Sequence, residues 1–134
     1  MQSASVLTAL IAWTMFLLIL MEGLRVRFLV TKTVAANEFR PDNSNLPPFM
    51  QRLARAHANC IESFPIIGGL LIVALLTNRA GITDALAPWL LLARVLQSSI
   101  HMASTRPLAA NLRFLAFAVQ IAIAVYWAWA LLAH

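Results

Sequence analysis

Four sets of polar side chains recur at helical spacing inside segments otherwise built of apolar residues. Arg52, Arg55, Asn59 and Glu62 are separated by three, four and three residues. At about 100° per residue, those steps gather the four into an arc of roughly 80° on one helical face. Arg94, Gln97 and His101 repeat the steps of three and four. Arg106, Arg113 and Gln120 are each seven apart, and Glu22 and Arg25 are three apart. Each set therefore shares a face. The chemistry of such a collection is anion binding. A guanidinium is a fixed fork of donors that holds a carboxylate through paired hydrogen bonds. Glu62 adds one negative charge, able to pair with an arginine or to receive an ammonium. A small anionic molecule with one amino group suits the set.

Each of these residues also has a plain structural use. Arg25, Arg27, Arg52 and Arg106 can lie along apolar surface and reach the lipid headgroups. Glu62 can form an ion pair with Arg55 or Arg94. His57 lies off the stripe and points the opposite way, as a structural residue would. Cys60 is expected to be a small buried apolar residue. Gly68 and Gly69 are expected to let helices approach closely. Three scattered histidines and one cysteine do not make a ligand spacing, so no metal site is expected. Tyr126 is the single tyrosine and lies 13 residues beyond Arg113. That is about 20 Å along a helix, too far to join these groups.

The elements that carry these residues follow from composition. The chain has 134 residues, 61% of them hydrophobic and 11% charged. A soluble domain carries roughly 25% charged residues. So few charges cannot cover a chain this small against water, and the apolar excess excludes disorder. Ten Lys and Arg against five Asp and Glu give a net charge of +5. The basic residues sit between apolar segments, so they read as membrane topology and not as a nucleic-acid surface. The N-terminal apolar run has no basic residues before it and no small-residue cleavage site after it, so it is expected to stay as a helix. Helices are expected over about 3–30, 49–77, 84–104 and 107–133, in a single domain spanning 1–134. Pro47-Pro48 is placed to open the second, and the segment between the first two is a polar loop. The class is all-α, an integral membrane four-helix bundle. Most basic residues flank the first and third loops. Those loops should face the cytoplasm, with both termini outside. All the polar stripes then outline one arginine-rich cavity in the cytoplasmic half. Trp89, Trp127 and Trp129 fall at the opposite interface as an aromatic belt, whereas Trp13 packs mid-helix.

The second helix reads Arg52-Leu-Ala-Arg55-Ala56-His57-Ala58-Asn59-Cys60-Ile61-Glu62-Ser63-Phe64-Pro65. This resembles the R-x-x-R-A-H-x-N-x-x-E-x-x-P signature of the MAPEG family, the membrane-associated proteins of eicosanoid and glutathione metabolism. The resemblance extends over nearly the whole chain. Leu24-Arg25-Val26-Arg27, Ala93-Arg94-Val95 and Leu112-Arg113-Phe114-Leu115-Ala116-Phe117 are similar to other family segments. It implies a four-helix subunit assembled as a homotrimer, a bacterial-type member in the inner membrane, with glutathione held between neighbouring subunits near the cytoplasmic side. It implies that Arg55, Asn59 and Glu62 help hold glutathione, with Arg25 contributing. It also implies that Arg113 stabilises the glutathione thiolate. Arg52, Arg94 and His101 complete the expected binding set. The expected activity is a glutathione-dependent transferase or peroxidase acting on hydrophobic electrophiles, which reach the site through lipid-facing gaps between helices.

The chain departs from the family pattern in several places. Ala58 stands where several members carry a further arginine. Gln97 and His101 stand where a histidine and a tyrosine are common. Phe114 follows Arg113 where a serine or threonine is frequent, and no tyrosine is available to the cavity. These departures favour a second reading, in which the protein binds glutathione or lipid without turnover. A third reading, a small four-helix multidrug exporter, needs a carboxylate inside the membrane. The first helix has none between Ser3 and Met21, which leaves only Glu62.

Overall fold

The computed structural model describes residues 2–133, with four long α-helices, one short one and a 3-10 turn at Ala36–Glu38 in the first loop. Helix α1 is Gln2–Val30, α2 is Pro48–Leu76, α3 is Ala80–Thr83, α4 is Ala87–Ala103 and α5 is Pro107–Ala133. There is no strand among the described residues. Three of the helices, α1, α2 and α5, are long and apolar enough to cross a membrane. Helix α4 differs. Its 17 residues span about 25 Å, against a hydrocarbon core of about 30 Å. The third long helix begins at Ala87, three residues after the expected start at about 84, because the chain turns through α3 and residues 84–86 before Pro88 opens the first turn of α4.

Local chemistry sets the ends. Pro48 supplies the first position of α2, where its missing N–H is no loss. Helix α2 is closed two residues past its end by Asn78, which takes a left-handed φ of 58°. The Arg79 amide then donates to Ala74 O at 2.8 Å, and that of Asn78 to Leu75 O at 3.3 Å. Helix α1 closes the same way, with Lys32 in the left-handed position and Thr33 N donating to Phe28 O at 3.0 Å. These closures satisfy carbonyls that a membrane could not.

Packing divides the bundle into two apolar layers. One joins α1, the polar loop and α2 through Leu17, Met21, Leu46, Met50 and Leu53. The other joins α1, α2, α4 and α5 through Val6, Leu10, Leu71, Leu90 and Trp127. Trp127 is fully buried, so it belongs to the core and not to the expected belt. Its ring fills the space where four helices meet. Trp89 and Trp129 are exposed, while Trp13 packs against the first layer and stacks on Phe16. The glycine pair also departs from expectation. A Cβ on Gly68 would meet the Phe64 ring of the same helix at 2.8 Å, and Gly69 has nothing within 4 Å. Gly68 therefore makes room for a ring one turn away, not for another helix.

Cross-chain clasps hold the end of the bundle away from the polar loop. Arg79 Nη1 donates to Leu131 O at 2.7 Å, placing a cation on the last turn of α5. At the start of α1, the Ser3 amide and hydroxyl donate to Asp84 Oδ1 at 2.8 and 2.6 Å. The Ser3 hydroxyl also meets that of Thr83. A carboxylate from the α3–α4 corner thus caps α1. The Ser3 hydroxyl, and after it the Ser3 amide, hold the Asp84 carboxyl below its ordinary 3.8. A depressed carboxylate stabilises the fold above its unfolded value, and the effect fades as pH falls through the folded value. Thermal midpoints of the wild type and Asp84→Ala should therefore differ by a constant amount from about pH 7 to pH 5 and converge below about pH 4. Parallel melting curves in detergent check this. A gap that persists unchanged at low pH would remove the clasp from the account.

Candidate functional site

The main polar cavity opens between α2 and α5, over α4, and measures about 390 Å³, smaller than the largely apolar groove of about 460 Å³ beside His57. That lies toward the lower end of small-ligand sites, about 300–1,000 Å³. One end is polar, lined by Asn59, Glu62 and Ser63 of α2, Gln97 of α4 and Arg113 of α5. The other end is apolar, lined by Ile66, Ile67, Phe114, Phe117 and Ile121. Arg113, Phe117 and Ile121 lie at successive steps of four, so one face of α5 carries the cavity from guanidinium to hydrocarbon.

Three of the residues expected to bind or activate a ligand meet here: Asn59, Glu62 and Arg113. His101 stands behind Asn59, with its Nδ1 at 3.3 Å from Asn59 Nδ2. Both Arg113 and Arg55 lie close enough to His101 to act on its ring electrostatically. Arg55, Glu62 and Arg113 make no hydrogen bond or ion pair, which leaves their charged groups available. The ion pair of Glu62 with Arg55 or Arg94 does not form. The one salt bridge among the described residues joins Arg25 and Glu22 at 2.9 Å.

The remaining expected residues are placed elsewhere. Arg52 donates from Nε to Met102 O at 2.8 Å and lies over the Phe49 ring, so it caps the end of α4. Arg25 is taken up by the loop. It donates to Asn43 Oδ1 at 3.0 and 2.6 Å, to Arg40 O at 3.1 Å and to Pro41 O at 3.3 Å. Asn43 is fully buried and in turn donates to Met50 O at 2.7 Å. Arg94 is buried and faces α1, with Nη2 donating to Ser63 Oγ at 2.6 Å. Arg106 is exposed at the start of α5. Gln120 is fully buried and donates to Gln97 Oε1 at 2.8 Å, cross-linking α5 to α4 beneath the cavity. His57 sits in an apolar groove between α1 and α2, away from the cavity. Tyr126 is exposed beside Trp129.

Sequence reasoning did not select Ser63, Phe117 and Ile121. The step of four from Arg113 was the available signal for the last two. It is hidden because nearly every residue of α5 is apolar.

The MAPEG family model matches residues 3–133. The chain belongs to the MAPEG family. No curated protein and no solved structure matches it. Family membership and three apolar spans make this MAPEG protein an integral membrane protein.

The Arg25 contacts carry a prediction. Arg25→Met removes the side-chain donors by which α1 holds residues 40–43 of the loop. Each tenfold change in local opening corresponds to about 1.4 kcal/mol, and several charge-assisted hydrogen bonds are lost at once. Tryptic cleavage after Lys32 and Arg40 should accelerate by about tenfold or more. Unchanged cleavage would show that the loop is held by its apolar contacts alone.

Proposed function

We propose that this MAPEG protein is a glutathione-dependent membrane transferase or peroxidase acting on hydrophobic electrophiles. The observation that carries the reading is the single cavity with an unpaired Arg113 at one end and Phe114, Phe117 and Ile121 at the other. Glutathione has two carboxylates, an ammonium and a thiol. Arg55 suits a carboxylate, Glu62 the ammonium, and Asn59 a peptide amide. Arg113 stabilises the thiolate, which is the nucleophile. In conjugation the thiolate forms a bond to carbon and the electrophile's leaving group departs with the bonding pair. In peroxide reduction the thiolate attacks the terminal oxygen and the alcohol leaves with a proton; the glutathione sulfenic acid so formed reacts with a second glutathione, giving the disulfide and water. The apolar end holds the electrophile beside the sulfur, and Ile66, Phe114 and Ile121 are exposed where it would enter from lipid.

Exposure of charge supports assembly as a homotrimer. Arg55 and Glu62 are exposed on a membrane helix with no partner in their own subunit. A bare charge at membrane depth costs at least about 2.5 kcal/mol. A neighbouring subunit that covers this face removes the cost and closes the site around its ligand. The polar end then lies on the cytoplasmic side, and both termini lie outside.

A second reading, binding without turnover, is supported by Phe114, which is 71% exposed beside Arg113 and offers no hydroxyl.

Ultraviolet absorbance of the glutathione thiolate in the detergent-solubilised protein decides between them. The Cys60→Ala background removes the one protein thiol. Wild type should show thiolate at neutral pH. Arg113→Ala should lose it and reduce conjugation or peroxide reduction by about 10²–10³-fold, as for loss of one anion-stabilising donor. Binding of glutathione without thiolate would favour the second reading, and no binding would reject both.

A further inference from the structure

Gln97 stands in the wall of the main cavity, and Gln120 fixes its orientation from behind. Gln97 is 5% exposed and Gln120 is fully buried. Gln120 Nε2 donates to Gln97 Oε1 at 2.8 Å and to Ala116 O at 3.1 Å. The Ala116 carbonyl can only accept, so the Gln120 atom beside it is the amide nitrogen. The Gln97 atom facing that nitrogen is then the oxygen. The two amides therefore run one way, and Gln97 Nε2 is the free end. It has no partner among the described residues, yet it is not one of their sealed, unpartnered polar atoms, which are Trp13 Nε1, Arg94 Nη1, Gln120 Oε1 and Trp127 Nε1. It opens on the cavity that Gln97 lines. Gln120 Oε1 is left buried without a donor, a cost that a leucine at 120 would avoid. Packing alone does not call for this pair.

The level of Gln97 says which ligand its donor meets. Through Gln120 it is tied to the turn of α5 that carries Phe117 and Ile121, the apolar half of the cavity. Arg113 is seven residues nearer the start of α5, about 10 Å along the axis. With the thiolate at Arg113, the molecule in front of Gln97 is the apolar electrophile. An electrophile without an oxygen would leave this buried donor unpaired, and sites built to hydrogen-bond reject such analogues strongly.

We propose that Gln97 is the oxygen-binding donor for the electrophile, held by Gln120 as a positioning residue, and that the substrate class is the apolar α,β-unsaturated carbonyl. The proposal rests on the glutathione reading above. The thiolate sulfur bonds to the β-carbon, and the displaced π pair moves to the carbonyl oxygen as an enolate. Gln97 N–H donates a hydrogen bond to that oxyanion. A proton from water, replacing the one the thiol released, ends on the α-carbon, and no group leaves. Two features favour an enone over a peroxide. The enone oxygen lies three bonds beyond the attacked carbon, so it reaches from the Arg113 end toward Gln97, whereas a peroxide's leaving oxygen stays beside the sulfur. That leaving oxygen also needs a proton, and an amide gives a hydrogen bond but no proton. An enolate needs only the hydrogen bond.

The test compares benzylideneacetone, an apolar enone, with benzyl chloride, which has no oxygen, and with cumene hydroperoxide, using the intact protein in detergent. The ratio of kcat/KM for the enone to that for benzyl chloride should fall about 10²-fold in Gln97→Leu. It should fall in the same direction, by up to about 10²-fold, in Gln120→Leu. The loss should lie in kcat with KM for the enone little changed, because the oxyanion exists only in the transition state. A check that needs no variant is the acceleration by wild type over the spontaneous reaction with glutathione, which should be about 10²-fold greater for the enone than for benzyl chloride. Thiolate absorbance in the same samples separates the two readings. Absence of thiolate in wild type would overturn the glutathione reading and this proposal with it. Thiolate with equal accelerations, or with an unchanged ratio in Gln97→Leu, would overturn the proposal alone. So would an equal loss with cumene hydroperoxide, since the donor would then not be reserved for a carbonyl.

Discussion

In hydrocarbon no water completes a hydrogen bond, and that constraint shapes every feature of this chain. Backbone groups are satisfied inside four long helices, and the helix ends are closed by left-handed residues and by arginines drawn from elsewhere. Polar side chains cannot face lipid at random, so they collect on α4, the shortest of the long helices. Arg94, Gln97, Ser98 and His101 are all buried there. The apolar helices α1, α2 and α5 shield α4 in turn. A helix too short and too polar to cross a membrane alone is thus carried by three that can.

The arginines divide by whether their donors are already used. Arg25, Arg52 and Arg79 hold a loop, the end of α4 and the end of α5. Each cation takes a carbonyl or side-chain oxygen that would otherwise lack a partner, which stabilises the fold. Arg55 and Arg113 do nothing of the kind. A charge held at membrane depth with no internal partner is a standing cost, and folding alone does not explain it. The same is true of Glu62. The cavity is the place where Glu62 and Arg113 meet apolar walls, with Arg55 outside its lining.

The helix spacing made part of this legible before any coordinates. The stripe of Asn59 and Glu62 and the turn of Arg113 do line one cavity. Periodicity places residues on a face, but it does not say which neighbour that face meets. Arg94 therefore turned toward α1, and Arg25 toward its own loop. Trp127 was unreadable for a related reason. A tryptophan near a helix end reads as an interface anchor unless three other helices converge on it. Helix α5 gave the weakest signal, because a uniformly apolar helix offers no contrast between its lipid face and its core face.

Ser63 joins Arg94 to the polar end of the main cavity. It lines that cavity, accepts from Arg94 and donates to Asn59 O at 2.9 Å. With both bonds made, the hydroxyl is a fixed wall one side chain thick. Electrostatic fields cross so thin a wall easily in a low-dielectric interior. An uncompensated Arg94 would pull any anion in the main cavity toward α2 and away from Arg113. The buried Arg94 serves the packing of α1, α2 and α4, and the half-buried Arg113 stands without a partner at the polar end of the main cavity.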